Sequence, residues 1–478
     1  DVKSWRVFPC QLEGGVKSNP LFYKFPELLS ATFWDFNTSA SCFLLENDLY
    51  ELSADKSNPT ILRSSFITNS LPLNCIITSL IYKPHQGLLL ISTDTKGLFV
   101  YREQKFKLLT YPHPERGTNN SYYCQLELDS NRVYTDWGRE FSIKGGKKSS
   151  LVLDRNYSEN IFRDCKNRLW YLSGPRTLKR YDPSSKKTTT IYNPRGEFVN
   201  CYYEEGDSIW IGSATSIGYV KNDSLRIVHT FDNNGSNSNL FQILRWNDKK
   251  LWLCNYTGVY TYDPISHDVD TLPKLYQSYP YNFTVYKNYL MIGTYGRGFY
   301  FHKGGKTVKM PLDANSYLQQ SYLFINDSAG YTWIATSNGM YKTRFSDLEN
   351  YFRDSTYKVS YLHYGEEDGI TSPEFNGGCV PSYVALKNGY ISMPNVEGLV
   401  WFNPHEVMDR DFSRPFFIDG LYADDIPLPF ADGANIGSAS QVVKIDFSTP
   451  YWGISDNLQL QYKLEGYSPN WTPINKVQ

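Results

Sequence analysis

The sequence predicts an all-β protein: a β-propeller of four-stranded blades, about 40 residues each, followed by an incomplete Ig-like β-sandwich. Three observations predict it. Tyr 39, Phe 27 and Trp 11 make 16% of the 478 residues aromatic while only 20% are charged, a composition suited to many short strands. A motif recurs: an apolar strand often carrying Trp, a short turn, a glycine, and a second strand ending in Tyr or Phe. The glycine slot falls at 48, 97, 138, 177, 218, 258, 298, 339 and 398, at intervals of 49, 41, 39, 41, 40, 40, 41 and 59 residues. A lone four-stranded sheet has two faces to cover; radial stacking buries both and leaves only short edges.

Taken in order, residues 1–40, with Phe22-Tyr23-Lys24-Phe25 and 32–36, read as strands of the first unit or of a blade cut short. The paired strands of the nine units are 42–45 with 49–52, 89–93 with 97–101, 132–135 with 138–141, 169–172 with 178–183, and 209–212 with 218–220. Then come 251–253 with 258–264, 291–294 with 298–301, 332–336 with 339–341, and 391–393 with 398–404. The glycine suits a tight hairpin that requires φ > 0, so the turns at Asp48 and Thr177 should differ. The Trp residues of the repeat read as packing between blades. Nine units fit one ring of seven to nine blades, or a seven-bladed ring with part of another. After Pro404 the rhythm breaks. Residues 414–429, with Pro415, Pro427 and Pro429, read as a linker and an edge strand. The period-two runs 442–447 and 458–464 read as strands of a small sandwich. The expected division is 1–410 propeller and 411–478 linker plus the start of the sandwich.

Lys+Arg 48 against Asp+Glu 49 leaves a net charge of −1, which gives no basic footprint for nucleic acid. No apolar run approaches the roughly 18–20 residues that span a bilayer, and no apolar stretch of a signal peptide follows Asp1. The expectation is a soluble chain, cytoplasmic or a processed extracytoplasmic segment. Cysteines stand at 10, 42, 75, 124, 165, 201, 254 and 379, too scattered for a CxxC motif, and read as buried thiols. The seven histidines include no zinc-protease pair, and no GxSxG elbow occurs. Gly305-Lys306-Thr307 imitates the end of a P-loop, but Tyr300 stands where its first glycine belongs. The reading is therefore no catalytic site, no metal and no cofactor.

In a propeller the turns between the second and third strands gather on one face. Their tips supply the candidate ligand-binding residues Lys96, Trp137, Arg139, Arg176, Tyr256, Tyr295, Arg297, Asn338 and Asn395. Aromatic faces stack on the C–H surface of a sugar while Arg and Asn bind its hydroxyls, so an oligosaccharide is the expected ligand. Two alternatives stand beside this: a polysaccharide lyase or hydrolase with carboxylates drawn from different blades, and a protein-interaction scaffold.

The Trp-Ile-Gly-Ser run at 210–213, with the Tyr-Asp-Pro endings at 181–183 and 262–264, resembles the two-component regulator propeller repeat. The run Glu366-Glu367-Asp368-Gly369-Ile370, with Glu374-Phe375-Asn376-Gly377-Gly378, resembles the signature before the last blade of that family. Tyr462-Lys463-Leu464-Glu465-Gly466-Tyr467, with Trp471, resembles the start of a triple-tyrosine (Y_Y_Y) domain. The resemblance implies the periplasmic sensor region of a hybrid two-component histidine kinase. Such a region detects an oligosaccharide and controls polysaccharide-utilisation genes; a homodimer and a later membrane helix are part of the same expectation. Nine units rather than fourteen, a shortened triple-tyrosine domain and no kinase motif mark the chain as a fragment or an atypical member.

Overall fold

The computed structural model describes residues 11–24, 30–34, 41–58, 60–72, 74–84, 87–112, 120–151, 153, 160–174, 176–231, 239–246, 249–407, 416–429, 436, 440–449 and 457–474. The chain forms two compact units, 1–103 and 104–478.

The second unit contains seven four-stranded antiparallel sheets, here blades I to VII with strands a to d. Strand a opens at Gln125–Asp129, Ile161–Arg163, Val199–Glu205, Leu240–Arg245, Pro280–Tyr286, Ser321–Asn326 and Val384–Ala385 in turn. In blades I to VI strand d follows strand c along the chain. In blade VII, Val384–Ala385, Ile391–Asn395 and Gly398–Phe402 are completed by Phe106–Leu109, which pairs antiparallel with Gly398–Phe402.

Seven apolar cores, each between successive blades, show that the sheets form a ring. Between I and II, Leu126 and Tyr134 meet Ile161 and Tyr171. Between IV and V, Trp252 meets Phe283 and Ile292. The last core joins VII back to I, with Leu109 and Trp401 against Tyr122 and Phe141. Trp170, Trp333 and Trp401 are at most 1% exposed, so the repeat's tryptophans are packing residues. Two are further fixed from six positions upstream: Trp170 Nε1 donates to Asp164 and Trp333 Nε1 to Asp327, both at 2.8 Å. Side-chain amides stitch neighbouring a strands, as where Gln242 bonds both the N–H and the C=O of Phe283 across blades IV and V.

The glycine slot has two causes, of which hairpin conformation is one. Gly298 and Gly339 do have positive φ, 82° and 88°. Gly218 and Gly398 do not; there a Cβ would stand 2.4 Å from the Arg226 carbonyl and 2.3 Å from that of Leu109, so close strand approach demands the glycine. The long interval before Gly398 holds a helix, Phe345–Arg353, and a non-repetitive segment around 365–383. The helix buries Phe345, Leu348 and Phe352, one face by spacing, with Asp347 in its first turn and Arg353 in its last.

The first unit holds the two remaining repeats. One is a five-stranded sheet in the order Gln11–Gly14, Ile61–Thr68, Asp48–Ala54, Ser41–Leu45, Ser30–Trp34, its first pair parallel. The other has three strands, Ile77–Lys83, Leu88–Thr93 and Leu98–Arg102. The next strand along the chain is Phe106–Leu109, the one that closes the ring. The nine units thus resolve into a seven-bladed ring and two further sheets. The strand expected around Phe22 is instead a 3-10 helix, Pro20–Lys24, because the Asn19 side chain accepts the Leu21 N–H and folds the chain into a turn. Beyond the ring, Phe417–Ala423 is the middle strand of three, between Ile426–Pro427 and Val443–Ser448, rather than an edge; Pro427 lies on the edge. Within the run 458–464 only Gln461–Tyr462 is strand, paired with Thr472–Pro473.

Candidate ligand-binding face

Because strands alternate in direction, the beginnings of the a strands and the b–c turns share one end of the ring. Four a strands begin with a bulge. Register shifts between Val199 and Cys201, Leu240 and Gln242, Pro280 and Asn282, and Ser321 and Leu323. The extra residues are Asn200, Phe241, Tyr281 and Tyr322. A bulge frees one residue from the ladder and re-aims its side chain.

The three aromatic ones assemble. Phe241 stacks on Tyr281 with centroids 4.6 Å apart, and Tyr281 on Tyr295 at 5.6 Å. Tyr295 in turn lies 6.1 Å from Tyr322 at an interplanar angle of 14°. Tyr256 meets Phe241 edge-on at 4.7 Å. Tyr295, from the b–c turn of blade V, is 50% exposed and forms the open tread of this stair. Burial raises the Tyr281 phenol, with Tyr256 adding to the shift, and pushes Tyr322 up to about 12. Both hydroxyls stay neutral near pH 7.

The segment 374–380 runs over the axial end of the ring and lies against this stair. Phe375 packs in the core between blades VI and VII and Cys379 in that between I and II. Val380 packs against the core between III and IV. Five residues reach at most about 18 Å, so the chain passes straight across the mouth. The Phe375 N–H donates to Thr336 O at 3.1 Å, Asn376 Nδ2 to Tyr122 O at 2.6 Å, and Cys379 Sγ to Tyr123 O. Two glycines permit the crossing. A Cβ on Gly377 would stand 2.8 Å from Tyr322 Cβ; Gly378 has φ 72° and a Cβ there would stand 2.9 Å from the Tyr281 ring.

The expected site residues distribute unevenly. Tyr256 and Tyr295 join the stair, and the exposed Arg297 shares the Tyr295 turn. Asn338 sits in the adjacent turn of blade VI, half-buried, its carbonyl accepting from His363 Nε2. Trp137, 41% exposed, donates its indole N–H to Ser121 O. Ser121 Oγ accepts from Asn376, so Trp137 flanks the crossing segment. Arg176 is exposed on blade II. Arg139 and Asn395 are not at the surface: Arg139 is 6% exposed with its guanidinium 4.1 Å over Tyr111, and Asn395 is fully buried. Asn395 Nδ2 donates to Ser372 O and its Oδ1 accepts the Glu397 N–H, a turn-forming role that anchors the crossing segment. Lys96 belongs to the first unit and is exposed in the turn after Leu88–Thr93.

Phe241, Tyr281 and Tyr322 escape the sequence reading, and Asn376–Gly378 enter it only as a family signature and not as part of the site. A signal exists: an aromatic followed by an amide residue, Phe241-Gln242 and Tyr281-Asn282, recurs at 40 residues. Two carboxylates at this end are engaged by the protein itself. Asp136 accepts the Tyr123 N–H, and Glu197 accepts from the hydroxyls of Ser213, Thr215 and Ser216 and pairs with Arg195. Those hydrogen bonds outweigh burial and hold Glu197 below the usual carboxylate range. Among the described residues no cluster of three or more His, Cys, Asp or Glu could hold a metal.

No family model matches the sequence, and no curated protein does. Among solved structures, the extracellular domain assigned to the hybrid two-component system BT3049 of B. thetaiotaomicron aligns with a TM-score of 0.56 and 14% identity, over 94% of this chain and 67% of that one. The corresponding domain of BT4673 from the same organism gives 0.49 and 14%, over 93% and 63%. This chain therefore spans about two thirds of the length of these domains and shares the propeller fold of the BT3049 domain.

Proposed function

We propose that this chain is the ligand-sensing part of the extracytoplasmic region of a hybrid two-component histidine kinase, and that its ligand is an oligosaccharide. The observation that carries the reading is the likeness to the BT3049 extracellular domain over 94% of the chain. The ligand seat in this proposal is the end of the ring bearing Tyr295, Arg297, Asn338 and Trp137, where an exposed phenol ring and neutral hydroxyls suit a pyranose. Residues 411–478 would begin the periplasmic triple-tyrosine domain that passes the signal to a helix spanning the inner membrane. In this proposal the segment binds without cleaving and needs no cofactor. Signalling requires that the sugar prefer one of two states, because a ligand binding both equally shifts nothing.

The test is thermal denaturation of the chain against purified oligosaccharides, with the glycan recovered and sized afterwards. A rise of several degrees with one glycan class, recovered intact, is the expected result. Tyr295→Ala should weaken that glycan about tenfold while leaving the melting temperature without glycan nearly unchanged, since the ring is half exposed. Shortened glycan would replace the sensor reading with an enzyme.

A further inference from the structure

We propose that His363 is a positioning residue that couples the ligand-binding end of the ring to the C-terminal segment 457–474. The proposal rests on the sensor reading only in naming a ligand as the input; the coupling is a property of the free protein.

The b–c turn of blade VI stands at a junction. Ser337 stands beside the Tyr322 phenol of the aromatic stair and opposes the rise in its pKa, while that phenol donates to Gln320 Oε1 at 3.2 Å. The Gly339 N–H donates to Pro373 O, at the entry of the crossing segment, at 2.8 Å. The Asn338 carbonyl accepts from His363 Nε2 at 2.7 Å. A carbonyl accepts only, so Nε2 carries the proton. The imidazole lies on the Tyr341 ring, 4.8 Å between centroids at 22°, which fixes its plane. Gly339 leaves it room: a Cβ there would stand 2.8 Å from His363 Nε2.

The main chain of the same residue faces the other way in bonding. Its N–H donates to Asn457 Oδ1 at 2.6 Å, and its C=O accepts from Asn457 Nδ2 at 2.8 Å. A side-chain amide thus imitates a β-ladder partner on strand Leu362–Tyr364. One residue holds the turn at the mouth with its ring and the C-terminal segment with its backbone. Any displacement of the Asn338 carbonyl must be absorbed by the imidazole, by its stack on Tyr341, or by the pairing with Asn457. Coupling of this kind is reciprocal: release of the segment must weaken the hold on the turn by the same factor as release of the turn weakens the hold on the segment.

The experiment is amide hydrogen exchange on the whole chain, without ligand, for the unmodified protein and for Asn457→Ala, His363→Phe and His363→Gln. Asn457→Ala is expected to speed exchange about tenfold in 457–474 and also at the amides of Gly339 and Phe375, which lie on the far side of His363. His363→Phe keeps the stack and removes the donor; it should speed exchange in both places, and His363→Gln, which retains an N–H, should restore part of the protection. Combining Asn457→Ala with His363→Phe should add little to either alone. Release of 457–474 with Gly339 and Phe375 unchanged would overturn the proposal. So would a uniform rise through all seven blades, which would make His363 a general stability residue. Because no glycan enters, loss of the sensor reading leaves these outcomes intact, and the reverse holds too.

Discussion

His302 shows how much a single side chain can report. Its ring packs against Trp246 and Trp252, 5.7 and 5.4 Å away and themselves in contact, with Nδ1 paired to Thr307 Oγ1 at 2.7 Å. Burial lowers its basicity, so the folded protein keeps it neutral at pH values where the unfolded chain is protonated. The stability contributed by the neutral ring is complete above the usual imidazole value of about 6.5 and is lost as pH falls through it towards the depressed folded value. His229 shifts the same way for the same cause. The urea midpoint should therefore decline from pH 7 to pH 5, and His302→Gln should flatten part of that decline; an unchanged slope would rule out His302 as a source. Asp327→Ala leaves the indole N–H of a Trp333 that is 1% exposed without its acceptor, and should cost about 1–3 kcal/mol in denaturant unfolding. At this scale the sequence read Trp170, Trp333 and Trp401 correctly as packing, because the repeat places them in strands b and c, which stack between neighbouring blades. It misjudged Arg139 and Asn395, because a turn position does not reveal whether a polar side chain turns outward or closes its own loop.

Among elements, the blades were legible and the insertions were not. Period-two alternation and the recurrent glycine are local signals. Helix Phe345–Arg353 and the segment across the mouth interrupt them and take their conformation from what they pack against. The bulges at Phe241, Tyr281 and Tyr322 were hidden for a related reason: one added residue in a strand leaves the interval between blades near 40. Gly378 joins both themes. Its φ of 72° and the Tyr281 ring beside it make Gly378→Ala strained twice over, and about 1–3 kcal/mol should be lost. Crossing and stair would separate, so tyrosine near-ultraviolet dichroism should fall more than the far-ultraviolet strand signal. Equal loss of both would mean that the segment is not a distinct layer over the ring.

For the molecule as a whole, blade number depended on one strand that sequence order assigns to the wrong sheet. Phe106–Leu109 follows the three-stranded sheet directly, yet it pairs with Gly398–Phe402 and supplies Phe106 and Leu109 to the cores on either side of blade VII. No periodicity distinguishes a fourth strand that stays from one that leaves. A polypeptide of residues 104–407 should fold to a cooperative ring, whereas 110–407 should melt at least 10 °C lower or not fold cooperatively; equal melting would show that the closing pair is dispensable. The same pair sets a schedule for the chain as it is made and exported. Its two strands lie about 300 residues apart, and at roughly 5–20 residues per second on the order of 15–60 s separates the emergence of the first from that of the second. Throughout that interval Phe106 waits without its partners, an exposed aromatic on an unpaired strand, and holding it apart from other nascent chains is a task for which chaperones are suited.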